Sequence, residues 1–187
     1  MGSAGDTSAV LLEAINFAAI KHRNQRRKDK EGTPYINHPI GVARILTAEG
    51  KIFDITTLQA AILHDTVEDT DTTFEEIEGT FGRKVRDIVA EVTDDKTLSK
   101  QVRKQMQIEN AGRCSYEARL IKLADKLYNL RDLRTSTPEG WSERRTQEYF
   151  EWSRKVVEGL RGTNKDMEAE LDKLFREHNA PVESVAL

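Results

Sequence analysis

The stretch Ala60-Ala61-Ile62-Leu63-His64-Asp65-Thr66-Val67-Glu68-Asp69 decides how this chain is read. Ala60, Ala61, Leu63 and Val67 read as the buried side of a helix that Asp54 can cap. An imidazole and three carboxylates are set directly against that apolar side. At about 100° per residue, positions 64, 65, 68 and 69 fall within an arc of roughly 140°. One helix face would then carry His64 and Asp65, with Glu68 and Asp69 one turn on. Acids packed this closely repel one another, and the cost rises with burial. A bound cation would offset it. The competing reading is a solvated acidic face near a helix C-terminus, where the helix dipole disfavours negative charge. A solvated face, however, does not need His and Asp beside Leu63.

Outward from this stretch the chain reads as helix after helix. Leu11, Leu12, Ile15, Ala18 and Ala19 mark a first helix running to about Arg27, and a loop with Gly32 and Pro34 follows. Asn37 is placed to cap the next helix, with Pro39 in its first turn and Val42, Ala43, Ile45 and Leu46 on its inner side. Thr73 with Glu76 is a capping-box pattern for a short helix ending between Gly79 and Gly82. Val85, Ile88, Val89 and Val92 continue the helical period, and Gln101 to Asn110 is a more polar helix. Leu120, Ile121, Leu123, Ala124, Leu127 and Leu130 mark a long buried one. Ser142 is placed to cap another, with Tyr149, Trp152, Val156 and Leu160. Met167, Leu171, Leu174 and Phe175 mark the last. No strand alternation, internal repeat or low-complexity linker interrupts the pattern. The expectation is an all-α fold in a single domain, residues 1–187, with its core at about 8–178 and mobile termini at 1–7 and 179–187. The 187 residues suffice to bury roughly 70% of the unfolded surface.

Composition excludes several function classes. Charged residues make up 33% of the chain, but the net charge is only −3, so global electrostatics argue for neither nucleic acid nor a membrane surface. No apolar run approaches a membrane span. Val10 to Ile20 lacks a basic start and is interrupted by Glu13 and Asn16, so it is no signal peptide. Asp6 stands where a myristoylation signal wants Ser or Thr. The lone Cys114 excludes an intrachain disulfide and suits a reducing compartment, which makes the cytoplasm the expected location.

Two further candidate ligands lie far from His64 in sequence. His38 sits at an expected helix start, directly before Pro39. Asp125 interrupts the apolar run Ile121-Lys122-Leu123-Ala124-Asp125-Lys126-Leu127. A carboxylate inside such a helix is costly unless paired or metal-bound. Taken singly, His38 reads equally as a core or helix-terminus histidine, and Asp125 as a partner for Lys122 or Lys126. Taken with His64 and Asp65 they supply two imidazoles and two carboxylates. That N/O set suits Mn²⁺, Fe²⁺ or Zn²⁺ and leaves coordination positions open for water.

These residues carry a family resemblance. His38, the His64-Asp65 pair and Asp125 match the H…HD…D signature of HD-domain phosphohydrolases. Gly32-Thr33-Pro34-Tyr35-Ile36-Asn37-His38-Pro39, His64-Asp65-Thr66-Val67-Glu68-Asp69 and Leu123-Ala124-Asp125-Lys126-Leu127-Tyr128-Asn129-Leu130 resemble the hydrolase domain of RelA/SpoT proteins, in particular the stand-alone animal type. The likeness spans about residues 8–178. It implies a helical HD-domain bundle and a hydrolase using one Mn²⁺ per chain. The substrate implied is guanosine tetraphosphate (ppGpp), a small nucleotide cut to GDP and pyrophosphate. It implies a second activity as well, removal of the 2′-phosphate of NADPH. With the chain ending at Leu187, a hydrolase without a synthetase domain is expected; oligomeric state is not legible.

A metal held by His38, His64, Asp65 and Asp125 would lower the pKa of a bound water. The resemblance makes Glu68 and Asp69 the acid/base pair that activates and orients that water, without deciding which takes the proton. Arg27 and Lys28 precede the His38 loop where a leaving pyrophosphate needs cations; a solvated basic run from Arg23 to Lys30 is the alternative. Tyr35 is placed either to stack on a base or to tuck into the core. Asn129, one turn after Asp125, can reach ribose or phosphate or simply face solvent. Lys100, Arg145 and Tyr149 are assigned to substrate by the resemblance; Tyr149 also fits a core position. Trp141 and Trp152 read as structural, and His22 and His178 lack a ligand-like setting. A different function class, a non-catalytic HD-type module that senses nucleotide and metal, would be expected to lack a ligand or an acid that this chain retains.

Overall fold

The computed structural model describes residues 4–179, with side chains from residue 7 onward. Of the termini 1–7 and 179–187, expected to be mobile, residues 1–3 and 180–187 lie outside the described residues, whereas 4–7 and 179 belong to the first and last helices. The fold is an all-α helical bundle, as expected. In chain order the helices are α1 (Ala4–Lys21), α2 (Asn37–Ala48), α3 (Ile55–Leu63), α4 (Thr66–Asp69), α5 (Phe74–Phe81) and α6 (Arg83–Val92). Then come α7 (Lys100–Asn110), a 3₁₀ turn (Ala111–Arg113), α8 (Tyr116–Thr135), α9 (Glu143–Glu158) and α10 (Lys165–Asn179). Among the described residues, extended pairing is confined to a bridge between Arg26 and Pro34. No helix among them is long and apolar enough to cross a membrane.

Two helices sit at the centre. α3 packs against α1, α2, α6 and α8, and α8 packs in turn against α2, α3, α6, α9 and α10. Their apolar faces account for this. Ala60, Ala61, Ile62 and Leu63 of α3, and Leu123, Ala124, Leu127 and Leu130 of α8, are fully buried. Each such leucine contributes about 1.5–3 kcal/mol through burial. α3 is started by Asp54, whose carboxylate accepts from the Thr57 N–H at 2.9 Å. α5 is started by Thr73, which accepts from the Glu76 N–H at 3.1 Å. The return half of that capping box is replaced, because the Glu76 carboxylate pairs with Lys21 of α1 at 3.0 Å.

Four local expectations are corrected. The first helix reaches back to Ala4 and ends at Lys21, not Arg27. Residues 22–35 instead fold into a loop with its own hydrogen bonds, Arg27 N–H to Thr33 O (2.8 Å) and Tyr35 N–H to Gln25 O (3.1 Å). Gly32 turns that loop at φ +63°. Asn37 does not cap α2. Ile36 occupies the cap position without a side-chain bond, and the Asn37 N–H is taken by Pro34 O at 3.1 Å. The His64 helix is also broken: α3 stops at Leu63, His64 and Asp65 form a turn, and α4 starts at Thr66. Asp65 sits at φ −99°, ψ −3°, and the Thr66 hydroxyl donates to Leu63 O at 2.7 Å. The four polar residues therefore do not share one helix face; the turn aims them.

Helix α2 is pressed onto α8 at Gly41. A Cβ there would stand 2.1 Å from Tyr128 Cε2, and the Tyr128 ring packs edge-on against His38 with centroids 4.8 Å apart. Gly41→Ala is expected to destabilise the fold by about 1–3 kcal/mol, the usual cost of overpacking. Adding Tyr128→Leu should recover most of that loss, as read by urea unfolding of the single and double variants.

Candidate active site

His38 enters from the start of α2, His64 and Asp65 from the turn after α3, and Asp125 from the middle of α8. Packing brings them together. His38 Nε2 lies 3.5 Å from Asp65 Oδ2 and 3.2 Å from Asp125 Oδ1. His64 Nε2 lies 3.0 Å from Asp65 Oδ2 and 3.8 Å from Asp125 Oδ1. His38, His64 and Asp65 form a compact group able to hold a metal ion, and Asp125 closes toward both imidazoles from the opposite helix. Both histidines are buried, whereas the two carboxylates stay partly open to solvent.

The tautomer of His64 follows from its neighbours. Its Nδ1 lies 2.7 Å from Ala61 O, and a carbonyl can only accept, so Nδ1 carries the hydrogen and Nε2 faces the acids. Yet Nε2 is buried without an aligned hydrogen-bond partner. Close but misaligned donor atoms are what side chains aimed at a common point produce. Two imidazole nitrogens and carboxylate oxygens fit a divalent cation, so the residues present suit the metal the motif implies.

The electrostatics agree. Burial would push His64 down, but the charges of Asp65 and Asp125 outweigh it and hold His64 up at about 9. Asp65 and Asp125 would be raised by burial, yet both are held well below the usual carboxylate range. For Asp65 the imidazoles of His64 and His38 do this; for Asp125 it is Lys126 first and then His38. Lys126 Nζ sits 2.9 Å from Asp125 Oδ2 and 4.7 Å over the Trp152 ring.

Around the centre the candidate residues take definite places. Tyr35 donates its hydroxyl to Asp65 Oδ2 at 2.6 Å, and its ring lies against His22 and His38 at 4.9 and 5.6 Å. Asn129 donates to Asp125 Oδ1 at 2.7 Å. Arg27 Nη2 donates to Asn129 Oδ1 at 3.0 Å and to Asp132 at 2.6 Å. These three thus support the carboxylates in this structure, and Tyr35 and Asn129 touch them directly. Lys28 is exposed near the rim. Lys100, exposed at the start of α7, is held below the ordinary lysine range by partial burial and then by the positive charges of Arg145, Lys28 and Arg103. Arg145 lies 4.3 Å over Trp141, and Tyr149 stands between Trp141 and Trp152 with centroids 5.7 and 5.2 Å away. Burial first, then the charge of Asp125 against the opposing pull of Lys126, leaves the Tyr149 hydroxyl up at about 12. Cationic and aromatic side chains thus gather together, and Lys126 joins them to Asp125, although the chain as a whole is nearly neutral.

Glu68 and Asp69 lie in the short helix α4, one step beyond the turn. Glu68 Oε2 accepts the Asp94 N–H at 3.0 Å, and Oε1 lies 3.5 Å from Arg103. Burial, the main cause, raises the Glu68 carboxyl above its ordinary range. Asp69 takes Lys96 at 2.6 Å on Oδ1 and Gln25 at 3.0 Å on Oδ2. Gln25, Asp94, Lys96 and Arg103 escaped sequence reasoning because they sit in loops or on a polar helix without periodic signal. Lys126, one of the two lysines expected as a partner for Asp125, makes that pair, whereas Tyr128 was visible inside the third motif but had no assigned task. His22 is buried against Tyr35, with Nδ1 at 2.6 Å from Gln25 Oε1. His178 stacks on Phe150 at 3.6 Å, away from the site.

A proton effect follows. In the metal-free protein the pKa of His64 rises from 6.5 to about 9 on folding. Its stabilising contribution is then complete below pH 6.5 and lost as pH rises through about 9. Metal-free protein should therefore lose thermal stability across that window. Over the same window divalent-ion affinity should rise, with protons released on binding, as measured by calorimetry in buffers of different ionisation enthalpy.

Residues 14–151 match the HD domain family. The chain is 66% identical over 171 residues to the guanosine-3′,5′-bis(diphosphate) 3′-pyrophosphohydrolase MESH1 of Danio rerio, covering 91% of this chain and 95% of that relative. It is 64% identical over 178 residues to the protein of the same name in Homo sapiens, covering 95% and 99%. A solved structure described as a metazoan ortholog of SpoT that hydrolyzes ppGpp and plays a role in starvation responses superimposes with a TM-score of 0.90. The sequence identity is 53%, and the match covers 96% of this chain and 98% of that one. With the sequence, the helical bundle and the H…HD…D cluster in agreement, the chain belongs to the HD-domain family and, within it, to the metazoan SpoT homologues.

Proposed function

We propose that this protein is a metal-dependent phosphohydrolase that cleaves the 3′-pyrophosphate from ppGpp, leaving GDP, with Mn²⁺ held once per chain by His38, His64, Asp65 and Asp125. The observation that carries this reading is the convergence of two buried imidazoles with Asp65 and Asp125 beside a second acid pair. Its relatives named for the same hydrolysis supply the substrate. The reading takes residues 8–178 as one hydrolase domain working in the cytoplasm. NADPH, which also carries a phosphorylated ribose hydroxyl, is a second substrate for the same site.

When bound, the cation would acidify water and neutralise charge on the phosphate oxygens. The chain's own groups do the rest. Glu68, with its carboxyl raised by burial, serves as the proton acceptor, because a base works best when its pKa approaches the working pH. Glu68 takes a proton from water as the new P–O bond forms and the bond from phosphorus to the ribose 3′ oxygen breaks, and it passes that proton to the freed 3′ oxygen. Asp69 orients the water. Lys28, Lys100 and Arg145 meet the phosphate chain, and Tyr149 and Asn129 flank the nucleoside. Arg27 and Tyr35 line the same mouth while bracing Asn129 and Asp65.

Chelation should abolish pyrophosphate release, and Mn²⁺ should restore it. Activity in metal-free protein would refute the mechanism. His64→Ala should lose metal and rate together. Glu68→Ala should retain the metal and lose about 10²–10⁴ in kcat, the usual contribution of a general base; loss of metal in that variant would make Glu68 a ligand. Side-by-side kcat/KM for ppGpp and NADPH ranks the substrates, and metal-loaded protein that binds both without turnover would be a sensor instead. Arg27→Glu should impair turnover and make the residual reaction less salt-sensitive, whereas unchanged kinetics at two salt concentrations would confine Arg27 to its pair with Asp132.

A further inference from the structure

The loop 93–99 between α6 and α7 reaches over to both acids of α4. Its Asp94 N–H donates to Glu68 at 3.0 Å, and its Lys96 ammonium donates to Asp69 Oδ1 at 2.6 Å. The loop is ordered by its own bonds. Asp95 accepts from the Thr97 N–H and hydroxyl at 2.9 and 2.7 Å, and Gln107 of α7 donates to Asp94 at 2.8 Å. Lys96 is thus presented from a fixed turn. On the other side of Asp69, Gln25 donates to Oδ2 at 3.0 Å. The amide of Gln25 is oriented in turn, since its Oε1 lies 2.6 Å from His22 Nδ1 and its backbone is bonded to both His22 and Tyr35. Each oxygen of Asp69 therefore has one donor, from a different loop, and together the two donors set the plane of the carboxylate.

We propose that Lys96 is a positioning residue that, opposite Gln25, fixes the orientation of the Asp69 carboxylate. The proposal rests on the reading of Asp69 as the acid that orients the attacking water. Stability is a poor explanation for this contact. Lys96 keeps half of its side chain in solvent, and an exposed ion pair adds little to folding. Orientation is a better one. Asp69 lies in a helix of four residues, too short to lock a side chain by itself, and small misplacement of a reacting group costs rate steeply.

The test is steady-state ppGpp hydrolysis with Mn²⁺, alongside metal content and thermal melting. Lys96→Met keeps the stem and removes the donor. It should lower kcat about 10- to 100-fold while KM stays within about twofold, with metal content and melting temperature unchanged. Lys96→Arg should recover most of the rate. Gln25→Leu, acting on the other oxygen, should give the same signature. In an Asp69→Asn background, Lys96→Met should cost nothing further, because the group it orients is already gone. Full kcat in Lys96→Met overturns the proposal. So does a raised KM at unchanged kcat, which would make Lys96 a substrate cation, and so does an equal loss in the Asp69→Asn background. If Asp69→Asn is itself fully active, the assigned role of Asp69 falls and this proposal with it; an inactive Asp69→Asn beside an unaffected Lys96→Met overturns the proposal alone.

Discussion

Asp65 comes from the turn that ends α3 and Asp125 from α8, the two helices at the centre of the bundle, and each carboxylate would be driven toward its neutral form by burial if nothing opposed it. What opposes it is a set of nitrogen partners: His38 from α2, His64 from the turn that also carries Asp65, and Lys126 beside Asp125 in α8. The packing of α8 on α2 and α3 is therefore tied to charge as well as to area. Where those helices meet, the carboxylates and imidazoles must be brought within a few ångströms of one another, or charged groups would be left inside the bundle without compensation. The same compensation makes the place chemically useful. Donor atoms that balance one another imperfectly, as His64 Nε2 does, are poised for a cation that satisfies all of them at once.

The close approach has a steric condition. Tyr128 lies across α2 at Gly41, packs on His38 and shares Arg27 with Tyr35 as rings under its guanidinium, at 5.5 and 5.7 Å. Arg27 then continues through Asn129 to Asp125. A chain of contacts from the loop after α1 thus ends on two of the groups at the centre. Tyr35, Asn129 and Arg27, which support the carboxylates, are also residues assigned to the nucleotide in the proposed function. Neither a solvated Arg27 nor a solvent-facing Asn129 matches these bonds, and no sequence alternative names carboxylate support for either.

Much of the fold was legible in the sequence because periodic burial is a local signal. Leu120 to Leu130 announced the buried helix α8, and Thr73 and Ser142 announced their helix starts. The four centre residues were legible for a related reason: His64 and Asp125 interrupt apolar helical patterns, where a polar group needs a reason to be. The misreadings occurred where the backbone leaves the helical period. The single-face picture of His64 to Asp69 missed the break at Leu63, because His, Asp and Thr neither forbid nor demand a helix. The extension of α1 to Arg27 missed the loop that places Gln25, since its cross-loop hydrogen bonds leave no trace in residue pattern.

The break after Leu63 matters more than its length suggests. In a continuous helix, Glu68 and Asp69 would stack one turn along from His64 and Asp65, with their mutual repulsion acting along a rigid axis. The turn separates the two tasks. His64 stays anchored to α3 through Ala61 O, while Glu68 and Asp69 point toward loop 93–99 and Gln25, where Glu68 accepts a backbone N–H and Asp69 accepts from the Lys96 ammonium and the Gln25 amide. Metal-type ligands are thus carried by elements buried in the core, where rigidity is greatest. Glu68 and Asp69, the acids proposed to handle protons, are held by loop groups supplied from segments far apart in the chain. A bundle built only from uninterrupted helices could supply the first arrangement but not the second.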